Sequence, residues 1–164
     1  AANSKILCAA AASEARKGMG TTVVALQYRE NAAYWAHVGD SRLYLLRKGA
    51  LRRLTRDHSF VQDLVERGSI TEEEARNHPK KNLLTRAVGV EEKLVVDTGS
   101  FTIEEGDIFL LCSDGLTNMV GEAAIRETLQ GESADKARTL VELALLAGGL
   151  DNITAIVVEC DERG

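Results

Sequence analysis

Three aspartates stand at matching places in this chain: Asp40 in Val38-Gly39-Asp40-Ser41, Asp114 in Ser113-Asp114-Gly115, and Asp151 in Leu150-Asp151-Asn152-Ile153. Each sits beside Gly, Ser or Asn and abuts a strand-like run. Hard divalent cations take oxygen ligands, and Mg²⁺ or Mn²⁺ sites are built from a few carboxylates completed by water. Such an ion acidifies a bound water enough to make it a nucleophile near neutral pH. Any one of these residues alone reads more readily as an Asp that opens a turn. Three strand-end carboxylates converging on one edge of a sheet read as a metal site.

The elements that must position them follow from the pattern. Ile108 to Cys112 is a continuous apolar run, the mark of a buried strand, and it ends in Ser113-Asp114-Gly115. A carboxylate at that end is costly unless a cation or several donors meet it. Gly115 is expected to let the backbone turn sharply there. Upstream, Asn3 to Lys17 reads as a helix ended by Gly18. Strands are expected at 21–26, 32–38, 42–47 and 50–54, joined by short turns as an antiparallel meander. Ser59 to Arg67 carries a helical face, and Thr71-Glu72-Glu73-Glu74 is a capping box opening a second short helix that stops before Pro79. Leu83 to Val88 and Leu94 to Phe101 return to strand character. Gly121 to Leu129 and Asp135 to Ala147 are helical, the latter strongly amphipathic. Ile153 to Glu159 is the last strand. The fold class is α+β: a largely antiparallel sheet core with helices on its faces. The charged segment 58–82 is a helical insert over one face, and an inert surface excursion is the other reading.

With 164 residues the chain makes one domain by length. A net charge of −5 argues against a nucleic-acid partner. Cys8, Cys112 and Cys160 are far apart and form no CxxC pair, which fits free buried thiols in a reducing cytosol and hence a cytoplasmic protein. The apolar run from Ile6 to Ala12 is too short to span a membrane. His37 reads as a packed histidine, and His58 and His78 lack zinc spacing. Arg52, Arg53, Arg56, Lys80, Lys81 and Arg86 form two basic clusters, read as a solvated face or as an attraction for phosphate. No GxSxG elbow, Walker loop or GxGxxG occurs.

Six stretches together carry a resemblance: Gly18-Met19-Gly20-Thr21-Thr22; Ala36-His37-Val38-Gly39-Asp40-Ser41-Arg42; Leu54-Thr55-Arg56-Asp57-His58-Ser59; Asn77-His78-Pro79 with Leu84-Thr85-Arg86-Ala87-Val88-Gly89; Cys112-Ser113-Asp114-Gly115-Leu116-Thr117-Asn118; and Asp151-Asn152-Ile153-Thr154. In this order they resemble the bacterial PP2C-like metal-dependent Ser/Thr protein phosphatases. The resemblance implies an αββα β-sandwich flanked by helices. It implies two Mn²⁺ or Mg²⁺ ions, with a third, weaker one in bacterial members, and hydrolysis of phosphoserine and phosphothreonine in proteins by a metal-activated water. Asp114 and Asp151 would then be ligands of the binuclear centre and Asp40 a ligand of the third ion. The insert 58–82 would be the flap beside the active site, with His58, Arg86 and Asn118 on the substrate or flap side. Phosphorylated Ser/Thr proteins and a cognate kinase pathway would be the partners.

The family's opening strands, with a phosphate-holding Arg and an Asp-Gly pair that bridges the metals, have no counterpart here. The expectation is therefore residues 1–164 as a single partial domain, truncated at its N-terminal side. Such a domain would expose sheet edges and could self-associate through them. Asn118 also departs from the Asp common in relatives. A catalytically impaired, phosphoprotein-binding regulatory module is the competing function. A phosphatase with an aspartate nucleophile is disfavoured, because Asp114-Gly115-Leu116-Thr117 lacks the second Asp of Asp-x-Asp.

Overall fold

The computed structural model describes residues 1–160. Helix α1 spans Ala2–Ala11, and a 3₁₀ turn follows at Glu14–Arg16. Strands β1 (Val23–Arg29), β2 (Ala32–Val38), β3 (Arg42–Arg47) and β4 (Ala50–Arg53) follow in chain order. Short helices α2 (Phe60–Glu66) and α3 (Glu72–Arg76) come next, then β5 (Asp97–Thr102) and β6 (Ile108–Cys112). Helices α4 (Asp114–Thr117), α5 (Glu122–Gln130) and α6 (Lys136–Leu146) precede β7 (Ala155–Glu159). The strands build a three-stranded sheet, β1-β2-β5, and a four-stranded sheet, β4-β3-β6-β7. Every pairing in the larger sheet is antiparallel. Among the described residues no helix is long and apolar enough to cross a membrane.

Three sequence expectations need correction. The expected meander is split, since β2 belongs to the smaller sheet and β3 to the larger. The helix expected over Asn3–Lys17 is broken, because Ser13 takes extended backbone and a serine side chain competes with the helical hydrogen bonds around it. Leu83–Val88 is not a strand. Its backbone is divided between partners: Phe60 N–H donates to Leu83 O, Thr85 N–H to His58 O, and Val88 exchanges bonds with Thr21. Those are isolated bridges, not one ladder.

The chain forms two compact units. One comprises Ala1–Ala25, Trp35–Asp40 and Arg56–Gly99. Here the helical insert is closed at its base, where Ser59 bridges Leu84 and Phe60 N–H meets Leu83 O at 2.8 Å. Ser59 caps α2 through the Gln62 N–H, and Arg56 grips Asp63 and Glu66 on that helix. The capping box of α3 is present as read, Thr71 and Glu74 exchanging bonds. Neither insert helix buries a residue fully, so these polar anchors add to the partial packing of α2, where Phe60 meets His78 and Lys80.

The other unit comprises Leu26–Tyr34, Ser41–Thr55 and the chain from Ser100 onward. The period-two pattern of the larger sheet sends Tyr44, Leu46, Leu110 and Cys112 to one face, where they pack with Leu116, Val120, Ile125, Leu129, Leu140 and Ala144 from α4–α6 and the loop after α4. Phe109 points to the opposite face, stacked on Phe101 and edge-on to Tyr28. The turn before β6 is fixed by a buried ion pair. Arg47 chelates Asp107 at 2.6 and 2.7 Å, and adds bonds to Glu104 and the Thr102 carbonyl.

Burial works to raise the Asp107 carboxyl, but Arg47 and the Glu104 N–H outweigh it and hold the group below the usual carboxylate range. Its contribution is therefore complete above the unfolded-state carboxylate value, about 4, and fades as pH falls through the folded value. Asp107→Ala is expected to cost about 3 kcal/mol in urea unfolding at pH 7, the gap to wild type narrowing on acidification. A cost under about 0.5 kcal/mol at pH 7 would place the pair outside the stabilising core.

Candidate metal centre

The carboxylates of Asp114 and Asp151 are brought together by strand pairing. Strands β6 and β7 run antiparallel with Cys112 opposite Ala155. Ser113 extends the ladder by one step. Its N–H meets Thr154 O at 3.1 Å, its Oγ accepts the Thr154 N–H at 3.0 Å, and its hydroxyl donates to Asn152 O at 3.2 Å. The end of β6 is thus tied to the loop that carries Asp151. Gly115 completes the approach. A Cβ built on it would lie 2.2 Å from Asn152 O, so the residue is glycine because the Asp151-Asn152 backbone lies against it. The sharp turn expected of Gly115 is absent, since the residue is helical within α4.

Asp114 is half-buried and Asp151 exposed. Burial first, then the like charge of Asp151, pushes the Asp114 carboxyl above its ordinary value, against the pull of the Gly115 N–H, Arg42 and Asn118. Asn118 Nδ2 donates to Asp114 Oδ2 at 3.3 Å, and Asp151 Oδ1 accepts the Asn152 N–H at 2.7 Å. Two carboxylates that repel each other beside an amide oxygen are a hard-oxygen donor set, and a divalent cation between them would relieve the repulsion. The residues fit Mn²⁺ or Mg²⁺.

Asp40 lies in the first unit, at the end of β2. Before it, Gly39 has φ +113°, and Thr22 fills the space a Cβ would need. Gly39 and His58 clasp each other: Gly39 N–H donates to His58 Nδ1 at 3.0 Å, and His58 N–H to Gly39 O at 2.7 Å. His58 Nε2 lies 3.0 Å from Asp97 Oδ2, and Arg86 reaches Asp97 Oδ1 at 2.6 Å. Burial works to raise Asp97, but His58 and Arg86 hold it low. Among the described residues His37, His58 and Asp97 have potential ligand atoms within 4.8 Å of one another. That cluster suits a cation poorly. The Nδ1 lone pair of His58 is used by Gly39, so Nε2 carries the proton, and Arg86 Nη1 stands 2.9 Å from it.

Sequence reading reached Asp114, Asp151, Asp40, Asn118, His58 and Arg86. It took His37 as a packed histidine, which matches its full burial. It missed Asp97, for which the only local signal was a carboxylate closing the run Leu94-Val95-Val96. Cys8 is exposed, Cys112 buried and Cys160 between the two, all free, so the expectation of buried thiols holds fully only for Cys112. Arg56 and Arg86, read as parts of basic clusters, are both engaged with carboxylates.

The profile of the family described as protein phosphatase 2C matches residues 2–153. The chain belongs to that family. It is 46% identical over 152 residues to the protein phosphatase PhpP of Streptococcus pneumoniae, covering 92% of this chain and 62% of that relative. Its fold is similar to the serine/threonine phosphatase PstP/Ppp of Mycobacterium tuberculosis, with TM-score 0.90 and 42% identity over 98% of this chain and 68% of the other. A PstP catalytic domain in complex with two manganese ions superposes with TM-score 0.86 at 42% identity, covering 94% of this chain and 65% of the other. The α+β architecture with antiparallel sheets is that of these PP2C-type phosphatases. The chain spans less than two thirds of the length of the PhpP relative it matches.

Gly115→Ala is expected to cost about 1–3 kcal/mol in urea unfolding and to shift the backbone amide signals of Asp151 and Asn152. Wild-type stability with unmoved Asp151 signals would contradict the close approach of the two loops.

Proposed function

We propose that the protein is a metal-dependent hydrolase of phosphoserine and phosphothreonine in other proteins. The observation that carries this reading is the apposition of Asp114 and Asp151, held by the Ser113 staple and the Gly115 contact. Family membership and the PstP neighbour with two manganese ions support it. Asp114 and Asp151 would hold the binuclear ions, and Asp40 a third. When bound, Mn²⁺ or Mg²⁺ supplies Lewis acidity toward the phosphoryl group and a water acidic enough to act near neutral pH.

The chain's own residues supply position. The Ser113 bonds keep the two carboxylates in register, so little reorganisation is needed when charge develops on a transferring phosphoryl group. Asn118 orients the Asp114 carboxylate through its amide. The insert 58–82 acts as a flap, its closed base keeping its ends fixed while its exposed helices meet substrate. Arg86 stands at that base.

The domain formed by residues 1–164 is a partial PP2C-like unit in this reading. Free cysteines fit a cytoplasmic setting, opposite a Ser/Thr kinase pathway. Edge strands β1 and β7 could mediate self-association. The competing regulatory module, which binds phosphoproteins without turnover, is distinguished by the same assay.

The intact protein should hydrolyse an aryl phosphate and a phosphothreonine peptide with Mn²⁺, lose activity in chelator, and lose about 100-fold or more in kcat/KM on Asp114→Ala. Activity that survives chelator or Asp114→Ala contradicts the metal assignment. Mn²⁺-dependent peptide binding without turnover favours the regulatory module.

A further inference from the structure

His58 is 1% exposed, and each of its polar groups has a protein partner. Its N–H donates to Gly39 O, its carbonyl accepts the Thr85 N–H at 2.9 Å, its Nδ1 accepts the Gly39 N–H, and its Nε2 faces Asp97. A ring so enclosed does not reach a protein substrate. It touches instead the residue before Asp40. Gly39 sits at φ +113°, a conformation open essentially to glycine. Glycine is also the residue with the most freedom to leave that conformation, so the turn needs an external hold. The two-way clasp with His58 provides it.

The far end of the ring is held in turn. Asp97 Oδ2 accepts the hydrogen bond from Nε2–H, and Arg86 fixes Asp97 at 2.6 Å. Thr85 and Arg86 directly follow the base of the helical insert, where Leu83 and Leu84 meet Phe60 and Ser59. One continuous polar chain therefore runs from the insert's closing segment through Arg86, Asp97 and His58 to the turn that presents Asp40.

We propose that His58 is a positioning residue that fixes the Gly39-Asp40 turn through Nδ1 and thereby sets the affinity of Asp40 for a divalent cation. This rests on the reading of Asp40 as a cation ligand. It assigns His58 to metal presentation instead of substrate contact. It also makes the closing segment of the insert a mechanical neighbour of the ion held by Asp40. Outer groups that orient a ligand commonly change metal affinity 10–100-fold.

His58→Asn and His58→Gln separate the two ends of the ring. The Asn oxygen can stand where Nδ1 accepts from Gly39, whereas the Gln amide can stand where Nε2 donates to Asp97 but leaves Gly39 without its acceptor. In the intact protein, the Gly39 amide should exchange with solvent about 10-fold faster in His58→Gln than in wild type. The Mn²⁺ dissociation constant, read from free Mn²⁺ by electron paramagnetic resonance, should rise about 10-fold in the same variant. His58→Asn should restore both toward wild type while melting at a temperature no higher than His58→Gln. Wild-type Gly39 exchange in His58→Gln, or equal Mn²⁺ affinity in the two variants, overturns the proposal. Asp40→Asn with unchanged Mn²⁺ binding overturns the reading of Asp40 as a ligand, and the inference with it.

Discussion

Two like charges placed side by side repel, and the site depends on a sheet that holds them there. Strands β6 and β7 deliver Asp114 and Asp151 to one place because their ladder continues past the last strand residues through Ser113 and Thr154. Burial, and then the like charge of Asp151, raise the Asp114 carboxyl, so the arrangement is costly in isolation and favourable with a cation. The cost is borne by the apolar core beneath, where Leu110, Cys112 and Leu116 are buried against α5 and α6. Stability in the core and charge repulsion at the strand end are two parts of one design.

The first unit, which carries the insert, solves a different problem. Its insert helices bury no residue fully, so charge and capping add to the hold of a half-buried α2. Arg56, which precedes α2 and grips Asp63 and Glu66 on it, and the Thr71-Glu74 box on α3 are local solutions. The Arg86-Asp97-His58 group is a non-local one, and it ends on the backbone of Gly39. Polar networks of this kind are worth most when every member is satisfied. That is why His58 and Asp97, each bonded on both sides, read as a fixed support and not as cation ligands.

Much of this was legible in the chain itself. Apolar runs located β2, β3, β6 and β7, and the Thr71 box located α3, because those signals are local. Asp114 and Asp151 stood out because turn residues beside a buried run are informative, and six motifs in family order named the likeness. What could not be read depends on partners distant in sequence. Gly115 looked like a turn glycine until Asn152, far along the chain, was found against it. Leu83–Val88 has strand composition, yet its bonds go to Phe60, His58 and Thr21 separately. Asp97 is an ordinary polar residue in sequence and becomes significant only when His58 and Arg86 reach it.

The central claim is that Asp114 and Asp151 share a divalent cation. Paramagnetic broadening by substoichiometric Mn²⁺ in the ¹⁵N-labelled protein tests it most directly. The account predicts that the amides of Ser113–Gly115 and of Asp151 and Asn152 broaden first and together, and that Asp151→Asn spares both groups. Broadening that begins instead at exposed acidic positions such as Glu72–Glu74, or that reaches Asp114 undiminished in Asp151→Asn, would contradict it.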